Sequence, residues 1–140
     1  ELYGNIAADT IMLLNNGFRI RVADSITDGH KASFSVYATD GTDTWNSQFQ
    51  ITLHAPVLSL PSLTILDPTG NNNGKPDPGE TVTVVVNALN EGSSGSSQAL
   101  HHLVSTSPYL QISGSPVTHT SLVPGSSQRF LYCIGGCFYS

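Results

Sequence analysis

Alternation of apolar and polar residues, broken at short intervals by turn residues, constrains this chain more than any other feature. Phe18, Ile20 and Val22 fall on one side of an extended segment, with Arg19 and Arg21 on the other. Phe34, Val36 and Ala38 alternate with Ser33, Ser35 and Tyr37, and Phe49, Ile51 and Leu53 alternate with Gln48, Gln50 and Thr52. Thr81 to Ala88 sets Val82, Val84, Val86 and Ala88 against Thr81, Thr83, Val85 and Asn87. Successive side chains of a strand point to opposite faces, so each such segment buries one face and wets the other. Leu63–Leu66, Leu100–Val104, Tyr109–Ile112 and Arg129–Tyr132 are shorter strand candidates. Helical spacing of apolar residues is almost absent. β-Branched and turn residues crowd out the Ala, Leu, Glu and Lys that a helix favours.

The turn signals are Asn15-Asn16-Gly17, Asp28-Gly29, Asp40-Gly41, Gly70–Gly74, Glu91–Ser97 and Pro124-Gly125. Short strands divided this often predict an all-β fold, a sandwich or a barrel built from antiparallel sheets. Leu13–Val22 and Leu122–Tyr132 share one form, a turn followed by an alternating strand. If they are equivalent, residues 1–56 form the C-terminal half of one β-sandwich module and 57–140 the N-terminal part of a second. The division falls at His54-Ala55-Pro56, where the proline holds the preceding residue extended. Two arrangements cover the faces such halves leave open. They combine into one sandwich within the chain, or they exchange between chains as a homodimer. The short Ala55-Pro56-Val57 linker favours exchange. With no initiator Met and no signal peptide, the chain reads as a piece of a longer one.

Charged residues make up only 11% of the chain, and the formal charge is −5. Nucleic-acid binding, which needs clustered Lys and Arg, is not expected. Arg19 and Arg21 form the only close basic pair, and a solvated face explains them. No apolar run approaches the roughly 20 residues of a membrane helix. The polar surface must come from Ser, Thr, Asn, Gln and Gly, a pattern of extracellular β-proteins, so the expected location is secreted or cell-surface. Cys133 and Cys137 lack the further ligands a zinc site needs and are too widely spaced for a thioredoxin-type motif. A short disulfide loop or two inert thiols fits them better.

No catalytic constellation emerges. His30, His54, His101, His102 and His119 show no metal-ligand spacing and read as surface or rim residues. Neither a Gly-x-Ser-x-Gly elbow nor a P-loop is present. Trp45, Tyr37 and Tyr109 could form a sugar-stacking platform, although a lone Trp in a sandwich more often packs a core or loop. A carbohydrate- or protein-binding surface made of exposed aromatics is therefore the alternative to a purely structural module.

The most specific chemistry lies between Asp67 and Glu80. Asp67, Asn71, Asn73, Asp77 and Glu80 bring oxygen-bearing side chains into a Gly- and Pro-rich loop. Ca²⁺ takes six to eight oxygens from carboxylates, amides and backbone carbonyls. With Thr69 as position 1, Asn71, Asn73, Lys75, Asp77 and Glu80 fall at positions 3, 5, 7, 9 and 12 of an EF-hand-like count. Lys75 would contribute only its backbone carbonyl, and Asp67 supplies the carboxylate that Thr69 lacks. The flanks read as strands, so this is no EF-hand. The competing reading is a polar turn stitched by Asx-turns.

Two stretches together resemble a known type. They are Asp28–Trp45 with Phe49–Pro56, and Ile65–Glu80 running into the Val-rich strand that ends Asn87-Ala88-Leu89-Asn90-Glu91-Gly92. They are similar to the immunoglobulin-like modules found beyond the catalytic domain of gingipain-type cysteine peptidases and in related secreted or surface bacterial proteins. The resemblance spans about Phe18 to Phe130, and its most specific part is the run from Asn71 to Glu80. It implies an immunoglobulin-like sandwich acting as a spacer or adhesion module that meets protein or glycan at the cell surface. It carries over no catalytic residue, because the peptidase's Cys and His belong to another domain. Tyr132–Ser140 departs from the pattern.

Overall fold

The structure, a computed structural model, describes residues 4–15 and 17–135. It is all-β, with every strand pair antiparallel and no helix among the described residues. Among the described residues no helix is long and apolar enough to cross a membrane.

The strands are β1 (Lys31–Thr39), β2 (Thr44–Thr52), β3 (Leu58–Leu66), β4 (Val82–Asn90), β5 (Ala99–His101), β6 (Ile112–Ser113), β7 (Val117–His119) and β8 (Ser127–Ile134). They form a hairpin β1-β2, a sheet ordered β3-β4-β8-β6, and a small sheet β5-β7. The central strand β4 follows its alternation: Val82, Val84, Val86 and Ala88 are all buried. Val85, on the opposite face, is buried as well, between its cross-strand neighbours Thr64 of β3 and Leu131 of β8. Val84, Val86, Ala88, Leu122, Phe130 and Tyr132 make the core, with Leu103 and Val117 packed on it from the β5-β7 side. Two layers therefore close over one core, as a sandwich requires.

Proline and register explain the edge. β3 carries Pro61 at a shift in register between Ser59 and Ser62, and among the described residues it pairs only with β4. A proline on an outer strand removes no needed ladder bond and blunts the edge against further pairing.

The β1-β2 hairpin turns through Asp40, whose carboxylate accepts from the N–H groups of Thr42 and Asp43 at 2.9 and 2.8 Å. Phe34 lies opposite Phe49, their rings stacked 5.2 Å apart. Ala32, Phe34, Val36, Trp45, Phe49 and Ile51 share one face of this hairpin by register.

Several expectations need correction. Phe18–Val22 forms no strand, and Phe18 is 72% exposed. Alternation marks a competent strand, but a strand also needs a partner's hydrogen bonds, and among the described residues none pairs with this segment. Tyr109–Gln111 likewise lies outside a strand, β6 beginning only at Ile112, and β5 ends at His101 rather than Val104. β3 begins at Leu58, well before the Leu63 expected from the pattern, which Pro61 had obscured. β7, too short to alternate visibly, was not foreseen.

Candidate functional site

The loop between β3 and β4 is organised around its carboxylates. Asp67, only 2% exposed, accepts the backbone N–H of Asn73 at 2.9 Å and of Gly74 at 3.2 Å. Glu80 accepts the N–H of Asn71 at 3.0 Å through Oε1 and that of Asp77 at 3.2 Å through Oε2. Asp77 Oδ2 accepts from the side-chain amides of Asn71 and Asn73 at 2.7 and 2.8 Å. Asn71 thus ties Glu80 to Asp77, and Asn73 ties Asp67 to Asp77. Sequence spacing selected these five residues, and the fold joins them in one network.

Their amide oxygens have separate work. Asn71 Oδ1 accepts from the N–H of Asn73 at 3.1 Å, and Asn73 Oδ1 from the N–H of Lys75 at 2.7 Å. Both are Asx-turns, which fold the backbone two residues on. Lys75 enters the network through its N–H alone. Asn72 takes a positive φ of 58°, tolerated by Asn in a tight turn. Gly70 is required for a different reason: a Cβ there would overlap the Glu80 carboxylate.

The oxygens suit a hard cation in kind: three carboxylates and two side-chain amides in one loop. Their present directions differ from a ligand shell, because the carboxylates face N–H donors. Among the described residues no three His, Cys, Asp or Glu side chains are gathered closely enough to hold a metal ion. Turning the Asn71 and Asn73 amides over would bring oxygens toward Asp77 only with the loss of both Asx-turn bonds.

Beside this loop lies a groove of about 640 Å³, walled by Pro76–Thr81, by Tyr109–Gln111 and by Ile134 and Gly135. Tyr109 stands at it with 92% of its surface exposed. Trp45 and Tyr37 do not join it in a platform, since their positions in the β1-β2 register put them on opposite faces of the hairpin.

Comparison with protein-family models, with curated proteins and with solved structures finds no match to this chain.

A second cluster joins the segment before β3 to the rest. Asp28 accepts from the Ala55 N–H at 2.8 Å, from the Ser93 N–H at 3.1 Å and from the Ser93 hydroxyl. His54 Nδ1 lies 2.5 Å from Ser93 Oγ. Asp, Ser and His meet here, but the serine stands in the middle. Its proton goes to the carboxylate, so the imidazole N–H donates to its oxygen, whereas an activating base would have to accept that proton. The arrangement is a clamp. These hydrogen bonds, the Ser93 hydroxyl first and the Ala55 amide next, hold the Asp28 carboxyl below its ordinary 3.8.

Asn90 completes this junction from inside, at 0% exposure. Its Oδ1 accepts from Val57 and Gly92, each at 3.1 Å, and its Nδ2 donates to the carbonyls of Ser94 and Leu122, each at 2.9 Å. Gly92 is needed because a Cβ would overlap the backbone of Ala55 to Val57.

The histidines also depart from expectation. His119 is fully buried and faces His101, while His30, His54 and His102 are exposed. Cys133 is buried and disulfide-bonded, and Cys137 lies outside the described residues.

Proposed function

We propose that the chain is a non-catalytic, immunoglobulin-like accessory or adhesion module of a secreted or cell-surface bacterial protein, of the type attached to gingipain-type peptidases, with its Asp67–Glu80 loop stiffened by Ca²⁺. The observation that carries this reading is the bridging of Asp67, Asp77 and Glu80 by Asn71 and Asn73. Three carboxylates are held in one short loop, and among the described residues no cationic side chain hydrogen-bonds to any of them. A divalent cation would supply the missing countercharge. Asp67, Asn71, Asn73, Asp77 and Glu80 are the side chains that would hold it, with the Lys75 carbonyl. The exposed apolar face of the β1-β2 hairpin supports an accessory role, since such patches mark surfaces that meet a neighbour. The reading predicts no turnover of casein or aryl glycosides by the purified chain. Turnover that disappears on changing one named residue would overturn it.

A second reading, a carbohydrate- or protein-binding module, is favoured by Tyr109, exposed beside the groove at the loop. Aromatic side chains of this kind offer a flat apolar face and a polar tip to a ligand. Glycan-array binding abolished by Tyr109→Ala or Trp45→Ala would raise it above the first.

A further inference from the structure

Two imidazoles meet where the small sheet closes over the core. His101 Nε2 and His119 Nδ1 are 2.5 Å apart, and His119 Nε2 lies 3.2 Å from the Ser97 carbonyl. A carbonyl only accepts, so His119 Nε2 carries the proton and its Nδ1 is bare. His101 Nε2–H therefore donates across the gap. The His101 ring stacks on Phe130 of the core with centroids 4.3 Å apart. His101 and His119 belong to β5 and β7, and the contact lies on their inner side, shared with Leu103 and Val117.

We propose that the His101–His119 pair is an acid-opened latch: it holds the β5-β7 sheet on the core while one of the two facing nitrogens is bare, and releases it when both carry protons. A first added proton leaves one N–H···N bond between the two rings, but it places a positive charge beside the apolar core. A second puts protons on both facing nitrogens, removes the acceptor between them and leaves two cations in contact. Among the described residues, neither β4 nor β8 carries an Asp or Glu to offset this. On β8, Tyr132 shares the inner face with Phe130 and burial pushes its phenol up, so it stays neutral in acid. Arg129 alternates to the outer face of β8, and the inward β4 residues Val84, Val86 and Ala88 are uncharged. His102 alternates away from His101 and is exposed.

Burial first, and the charge of His119 second, set the His101 imidazole below its ordinary 6.5. The unfolded or opened state then binds more protons than the closed one. The closed sheet is fully favoured above about pH 6.5 and loses ground as pH falls below it.

Amide hydrogen exchange of the whole chain between pH 7.5 and 5, corrected for intrinsic rates, tests this. Protection of the β5 and β7 amides should fall by up to about tenfold per pH unit for each proton taken up. The β4 and β8 amides should keep theirs. In His101→Gln, whose side-chain amide still donates to His119 but cannot titrate, the pH dependence should shrink to what His119 alone carries, and in the His101→Gln/His119→Gln double variant it should vanish. An unchanged pH dependence in that variant overturns the latch, as does parallel loss of protection in β4. Imidazole ¹⁵N spectra of the unsubstituted chain give an independent reading. His119 Nδ1 should be bare at pH 7.5 and take its proton in step with the exchange; a protonated Nδ1 at pH 7.5 contradicts the assignment.

Discussion

Gly70 and Glu80 fit against each other so closely that a single methyl group at residue 70 would overlap the Glu80 carboxylate. Glu80 is not free to swing aside, because it holds the N–H groups of Asn71 and Asp77. Gly70→Ala should therefore cost about 1–3 kcal/mol, the range for losing hydrogen bonds to a charged acceptor. Denaturant unfolding measures this. In a Glu80→Ala background the clash is gone, and adding Gly70→Ala should cost much less; additive losses would show that the two residues do not act as a pair.

Asn90→Ala should be the most damaging single change outside the apolar core. It strands the N–H groups of Val57 and Gly92 and the carbonyls of Ser94 and Leu122. Each buried group left without a partner costs about 1–3 kcal/mol. Asn90→Asp should also destabilise, because a carboxylate keeps the two acceptor contacts but cannot donate to the carbonyls. Thermal melts of both variants check this; a Tm within a few degrees of the unsubstituted chain would contradict the role.

Acid should loosen the Asp28 clamp. The folded pKa of Asp28 lies below its ordinary 3.8, so its contribution is fully present above that value and is lost as pH falls through the lower, folded one. Protection of the Ala55 amide against exchange should drop in that range. Ser93→Ala removes the largest cause of the shift, and the drop should then begin at higher pH. An Ala55 amide whose protection ignores both acid and Ser93→Ala would show that the clamp does not hold this segment.

Much of the fold was legible because alternation is a local signal. β1, β2, β4 and β8 contain the segments that alternate, and the valines of β4 face inward as their spacing required. The same signal misled at Phe18–Val22, since it records which face is apolar and not whether a partner strand exists. The loop residues were found through chemistry at fixed spacing, Asp67 to Glu80 lying within one turn of chain. Asp28, Ser93, Asn90 and the His101–His119 pair were missed because their partners are remote in sequence. Asn90 and Leu122 are separated by 32 residues, and His101 and His119 by 18. Only the closing of the β5-β7 sheet and of the loop after β4 brings such residues together, and no periodicity announces them.

Calorimetric titration of the metal-stripped chain with Ca²⁺, paired with a thermal melt, tests the central claim most directly. The loop should bind with measurable heat and raise the melting temperature, since a ligand at 100 times its dissociation constant stabilises the native state by about 2.7 kcal/mol. Asp77→Ala and Glu80→Ala should each weaken binding, Asp77 because both asparagine side chains converge on it. No heat and no thermal shift would contradict the cation-stiffened loop and leave the Asx-turns alone as its reason for being.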